Sequence, residues 1–257
     1  MEDRENEIIA DFKKGYPNLF RFRSNPNFAL QEFRESYIFF QELNNLNDPF
    51  EGLSKRVDLN ITIDSFLKSS AFKQFIDKDN EELTKRFLHK MSNLEFEHFI
   101  NDLFESYIQQ FGIACFTVHP SDFLMWCHYA DGYRGLCFQY NTEKDNDFFK
   151  GWKPVEYVKS MKVGEIEVDY SEAAIQKLFF EKLKDWKNER EIRLIKTKKG
   201  ESKIKPTCLK SIIFGFKTPN EVQNQFLEHA SRVNSHVEFY KLEPKFTKNG
   251  ILLTPLN

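Results

Sequence analysis

Gly112-Ile-Ala-Cys-Phe-Thr-Val118, Ser121-Asp-Phe-Leu-Met-Trp-Cys-His-Tyr-Ala-Asp-Gly132 and Arg134-Gly-Leu-Cys-Phe-Gln-Tyr140 follow one another along the chain. The first is a short apolar run and reads as a strand. In the second, Ser121 and Asp122 are residues that cap helices, and Phe123–Tyr129 continues as a short helix. Gly135–Tyr140 is again a strand. Strands and helices mix in this way without a regular βαβ rhythm, and neither a G-x-G-x-x-G nor a Walker A run occurs. The pattern predicts an α+β fold with a mostly antiparallel, split sheet flanked by helices, not a doubly wound nucleotide fold.

Working toward the N-terminus, Leu19-Phe-Arg-Phe-Arg23 alternates apolar and basic residues with period two, the mark of a strand. Asn25-Pro26-Asn27 has the chemistry of a helix start, continued by Phe28–Glu35. Tyr37–Phe40 reads as a strand and Asn44–Pro49 as a loop rich in turn residues. A short helix is expected over residues 1–18. From Asp64 to Phe111 there is neither Gly nor Pro. Leu83, Phe87, Leu88 and Met91, then Phe96, Phe99, Ile100, Leu103 and Phe104, recur at helical spacing, which predicts a helical insert of two to four helices over 64–111 within a single α+β domain. Toward the C-terminus, strands are expected at Val155–Val158, Ile166–Tyr170, Glu189–Lys196 (with one wet face), Leu209–Phe214, Val237–Leu242 and Ile251–Leu253. Helices are expected from Ser171 to about Asp185 and over Asn220–Asn234.

The 257 residues carry 37 Lys and Arg against 39 Asp and Glu, a formal charge of -2, so the chain lacks the basic footprint of a nucleic-acid binder. Its 28 Phe residues in a chain of mean hydropathy -0.57 set large aromatic anchors among charged residues, as in a folded soluble protein. Cys115, Cys127, Cys137 and Cys208 form no C-x-x-C pair and show no zinc-finger spacing, so buried free thiols are expected and no metal site. The charged N-terminus has no apolar core of a signal peptide, and no run approaches 18 apolar residues. A cytoplasmic protein without a membrane partner is the expectation.

Four polar clusters can carry chemistry. Arg21 and Arg23 share one face of the first strand, as a solvated surface or as a bidentate grip on phosphate or carboxylate. Asn47 and Asp48 precede Pro49 and Phe50, either as a rigid turn or as contacts to a sugar or base edge. In Met125–Gly135, Asp122, Met125 and Tyr129 share a helix face. His128 is here accompanied by Trp126, Tyr129, Asp131 and Arg134, and can serve as acid, base or donor, or be structural. In Trp186–Arg193, Glu189, Glu191 and Arg193 would share one face of a strand. Two carboxylates so spaced repel and can separate in pKa, or simply pair outward with Arg193. The hydrolase and metalloprotease signatures G-x-S-x-G and H-E-x-x-H are absent.

Phe20-Arg-Phe-Arg23, Asn47-Asp-Pro-Phe50, Cys115-Phe-Thr117, Met-Trp-x-His-Tyr-Ala-Asp over 125–131 and Trp-x-x-Glu-x-Glu-x-Arg over 186–193 together resemble a bacterial family known only as a domain of unknown function. The resemblance spans nearly the whole chain outside the insert. In the order of its motifs the chain is similar, more distantly, to ADP-ribosyltransferase-like folds, although it has no Ser-Thr-Ser strand motif and its middle element is helical. That similarity implies an enzyme acting on NAD, transferring ADP-ribose to a protein or nucleic acid or hydrolysing the glycosidic bond, in the setting of a toxin or phage-defence effector. It implies that Arg21 or Arg23 holds the pyrophosphate, that Asn47, Asp48, Trp126 and Arg134 help bind the cofactor, that His128 and Tyr129 shape the nicotinamide or ribose site, and that Glu191, with Glu189, stabilises the cationic ribose. Two rival expectations stand beside it. One is a non-catalytic module that binds a nucleotide or nucleic-acid end. The other is a nuclease with Mg²⁺ held by Asp48, Glu51, Glu189 and Glu191.

Overall fold

Ten strands form the main sheet: β1 (Asn18–Arg23), β2 (Tyr37–Glu42), β3 (Gly112–Thr117), β4 (Leu136–Asn141), β5 (Lys153–Pro154), β6 (Glu191–Lys196), β7 (Gly200–Lys203), β8 (Leu209–Phe214), β9 (Glu238–Thr247) and β10 (Gly250–Pro255). They belong to a computed structural model that describes residues 17–48, 57–58, 62–69, 72, 78–160, 166–167, 178–233, 235–247 and 250–255. The order along the sheet is β7-β2-β3-β1-β4-β8-β9-β10, with β6 and then β5 branching from β3. All of these pairings are antiparallel except β8 with β9. The architecture is therefore α+β with a largely antiparallel sheet, as the pattern of elements predicts.

The sheet splits at β3. One edge of β3 pairs along its full length with β6, from Glu191 opposite Thr117 to Lys196 opposite Gly112. The other edge meets β1 at Thr117 and β2 only at Ile113 and Gly112. β1 and β2 therefore diverge between these points. Side-chain alternation then sorts the residues. Leu19, Ala114, Phe116, Phe138, Ile192 and Leu194 face one layer, formed by α1 (Pro26–Glu35) and the late helix Asn220–Val233. Ile113 and Cys115 face the other way, into the apolar cluster of the helical stretch. Phe22, Cys137 and Ile213 also face that way and meet the helix bearing Met125 and Trp126.

The helical stretch contains α2 (Ile63–Lys68), α3 (Glu81–Leu88) and α4 (Asn93–Ile108), with Phe66, Leu88, Phe96, Ile100, Phe104 and Ile108 buried. Ser92 and Glu95 start α4 with a reciprocal capping box. Asp122 caps α5 (Phe123–Tyr129) by accepting from the Leu124 and Met125 N–H groups at 2.8 and 3.3 Å. The late helix is α6. Among the described residues no helix is long and apolar enough to cross a membrane.

The turn after α5 explains its glycines. Asp131, Gly132 and Tyr133 all have left-handed backbones, with φ of 47, 55 and 72°. A Cβ on Gly135 would lie 2.1 Å from the Arg23 carbonyl oxygen. Gly135→Ala must push β1 away from β4, with an expected stability loss of about 3 kcal/mol, read from the urea-denaturation midpoint.

Two expectations are corrected here. The helix expected to run to about Asp185 is not continuous: Glu181–Leu183 is a strand paired in parallel with Glu156–Val158, and Lys184–Glu189 is a 3₁₀ turn. Pairing with a neighbouring strand, together with burial of Lys182 in ion pairs, outweighs the local pattern. Nor does β6 begin at Glu189 or carry a wet face. Arg190 turns the chain at φ 46°, and Glu191, Ile192, Arg193 and Leu194 are all buried. The face meant for water is closed by ion pairs. Residues 1–16 of the expected first helix, Pro49–Glu51, residues 168–170 and the start of the Ser171 helix lie outside the described residues.

Candidate functional site

Where the sheet splits, a cleft of about 810 Å³ opens, and its walls come from seven segments distant in sequence. β1 supplies Arg21 and Arg23, β2 supplies Phe39, and the loop after β2 supplies Asn47. Thr117 ends β3, Met125, His128 and Tyr129 come from α5, and Lys182, Glu189, Glu191 and Arg193 close the far side. Met125 and Tyr129 share one face of α5, as their spacing predicts.

The carboxylate end is a closed network of charges. Arg193 grips Glu191 with two hydrogen bonds of 2.8 Å each, and its third nitrogen donates to the Phe179 carbonyl at 2.6 Å. Lys182 Nζ lies 2.6 Å from Glu189 Oε2 and 3.2 Å from Glu191 Oε2. The Tyr129 hydroxyl donates to Glu189 Oε1, and Asn47 Nδ2 donates to that hydroxyl in turn. Thr117 Oγ1 donates to the Glu189 carbonyl at 2.8 Å, fixing the turn that presents the side chain. Tyr157 accepts the Glu191 N–H at 2.9 Å.

These partners separate the two carboxylates. Burial pushes Glu191 up, but the Arg193 guanidinium and then Lys182 outweigh it and hold its pKa at about 2. Burial also pushes Glu189 up, and here Lys182 only partly offsets it while Glu191 adds to the rise, so Glu189 sits above the ordinary carboxylate range. Burial and the adjacent Glu189 raise the Tyr129 phenol too. Tyr129 thus stays a neutral donor.

At the other end the two arginines differ. Arg23 is bound by Glu32 of α1 through Nε at 2.5 Å and through Nη2. Arg21 is 6% exposed, and its Nη2 donates to the Phe39 carbonyl at 2.6 Å across the gap between β1 and β2. Its Nη1 is buried with no hydrogen-bond partner. Burial, then the charge of Arg23, draws its pKa from 12.5 to about 10, which leaves it protonated at neutral pH. A planar cation with an unmatched donor on a cleft wall is suited to a phosphate oxygen. Phe39 and Phe28, 40 and 65% exposed, stand on the same cleft.

Of the candidate residues, the cleft thus gathers Arg21, Arg23, Asn47, His128, Tyr129, Glu189 and Glu191. Three others are not on its walls. Trp126 is fully buried, donates from its ring to the Pro120 carbonyl at 2.6 Å and stacks on Tyr133. It supports α5 from behind, because a residue one position past Met125 is turned about 100° around the helix. Arg134 is exposed and reaches back to the Asp131 carbonyl. Asp48 is buried away from those walls. Lys182 escaped the sequence reading, since a lysine in an expected helix carries no signal of burial; Phe28 escaped because it reads as an ordinary helix residue.

Among the described residues no group of three His, Cys, Asp or Glu side chains is arranged to hold a metal ion. No family model matches the chain, and no curated protein or solved structure matches it either.

Proposed function

We propose that this protein cleaves the N-glycosidic bond of NAD and passes ADP-ribose to a macromolecular acceptor or to water. The observation that carries the reading is one cleft with Arg21, a cation with an unmatched donor, on one wall and the buried Glu189 carboxylate on another. In this mechanism Arg21 binds a pyrophosphate oxygen. Nicotinamide departs with the bonding pair, and positive charge develops at the ribose C1 atom. Glu189, held by Tyr129, stabilises that charge. The acceptor then bonds to C1 and loses its proton. Glu191 is matched by Arg193 and serves the framework, so the leading role passes from Glu191 to Glu189.

The non-catalytic nucleotide module shares this cleft and differs in outcome. The nuclease reading gains less support, because Lys182 and Arg193 already sit on the two glutamates and Asp48 is not on the cleft.

The test is incubation of purified protein with NAD, with free nicotinamide followed by chromatography. Release supports the proposal; saturable binding without release returns the site to a binding module. Arg21→Met removes the free donor, and KM for NAD is expected to rise about 10–100-fold with a smaller change in kcat.

A further inference from the structure

We propose that Lys182 is a positioning residue for the reactive carboxylate, a buried counter-cation that keeps Glu189 ionised and turned toward the cleft. Its effect on rate rests on the NAD-cleaving reading; its effect on Glu189 rests on geometry alone. Two carboxylates separated by one residue crowd the same side of the cleft, and Arg193 matches only Glu191 with paired bonds. Lys182 is the cation seated on Glu189, at 2.6 Å, and its side chain is only 5% exposed. Water is therefore a poor substitute for it. Trp186, on the same turn as Glu189, covers the ammonium at 4.9 Å from the ring centroid.

The titratable groups around Glu189 come from every element packed on it. Tyr129 projects from α5, Lys182 from the Glu181–Leu183 strand, Glu191 and Arg193 from β6, and Tyr157 from the Glu156–Val158 strand. The tyrosines are neutral donors or acceptors at physiological pH, and Arg193 is engaged with Glu191. Without Lys182, an ionised Glu189 would face the Glu191 charge with no adjacent cation of its own. Protonation would then be favoured. The strand pairing of Glu181–Leu183 with Glu156–Val158 fixes the ammonium independently of any substrate.

Two measurements test this. In ligand-free wild-type protein labelled with ¹³C in the glutamate side chains, Glu189 (assigned by loss of its signal in Glu189→Gln) is expected to be ionised at pH 7.5. In Lys182→Met its titration should move alkaline by about one pH unit or more, while Lys182→Arg should stay near wild type. In the nicotinamide assay the acidic limb of kcat should move by the same amount, with at least about tenfold loss at pH 6 and recovery toward wild type at pH 9. A Glu189 protonated at pH 7.5 in wild type, or a titration unmoved in Lys182→Met, overturns the proposal. If Lys182→Met does not fold, the wild-type titration and Lys182→Arg still decide it. If wild type releases no nicotinamide while the titration shifts as stated, the NAD reading fails and the role of Lys182 stands.

Discussion

Glu189→Gln is expected to lower nicotinamide release about 10²–10³-fold while the protein stays folded, because the amide keeps the shape of the side chain and removes only the charge that meets the cationic ribose. Its Oε1 can still accept from Tyr129, and the turn is still anchored through Thr117 and the main-chain carbonyl. The comparison with Glu191→Gln separates the two glutamates. That change leaves Arg193 facing a neutral amide in a site that is 0% exposed, so its first effect is on stability. Steady-state rates beside melting curves read both. Equal loss of turnover in the two variants at unchanged stability would return the reacting role to Glu191, and unchanged turnover in Glu189→Gln would remove Glu189 from the mechanism.

Arg193→Met should be the most destabilising of the single changes, by about 3–5 kcal/mol, because it strands the Glu191 charge where water cannot reach it. Lys182 remains at 3.2 Å but already serves Glu189. Adding Glu191→Gln to Arg193→Met removes the stranded charge, so the double variant should be more stable than Arg193→Met alone. The pH dependence has a definite sign. Glu191 falls from 4.5 to about 2 in the folded protein, so its contribution to stability is fully present above about pH 4.5 and is lost as pH falls through about 2. Urea midpoints from pH 7 to 3 for both variants check this; identical midpoints for single and double variants would show that the pair stabilises nothing.

Much of the fold is legible in the chain, and the reason is periodicity. Period two marks β1 and β2, and helical spacing without Gly or Pro marks the 64–111 stretch. The segment Glu181–Glu189 is not legible, because a three-residue strand and a 3₁₀ turn are too short to show a period. Their conformation comes from Tyr157 and its neighbours more than 20 residues upstream. The candidate site divides in the same way. The motifs name Arg21, His128, Tyr129 and Glu189, all of which reach one cleft. What distinguishes Arg21 from Arg23 is Glu32, nine residues further on and on a helix, and no pattern within β1 reports it. Trp126 was drawn into the site by adjacency, when adjacency on a helix turns a side chain to another face.

The four groups Lys182, Glu189, Glu191 and Arg193 carry two positive and two negative charges in a nearly dry space. This balance limits how the sequence can drift over generations. A lineage that loses one member passes through an intermediate with an odd charge in its interior, so each single step is penalised even where the destination is tolerable. Change at these positions must come in compensating pairs, and in a set of relatives they should vary together as a block while the solvent-facing residues around them vary one at a time.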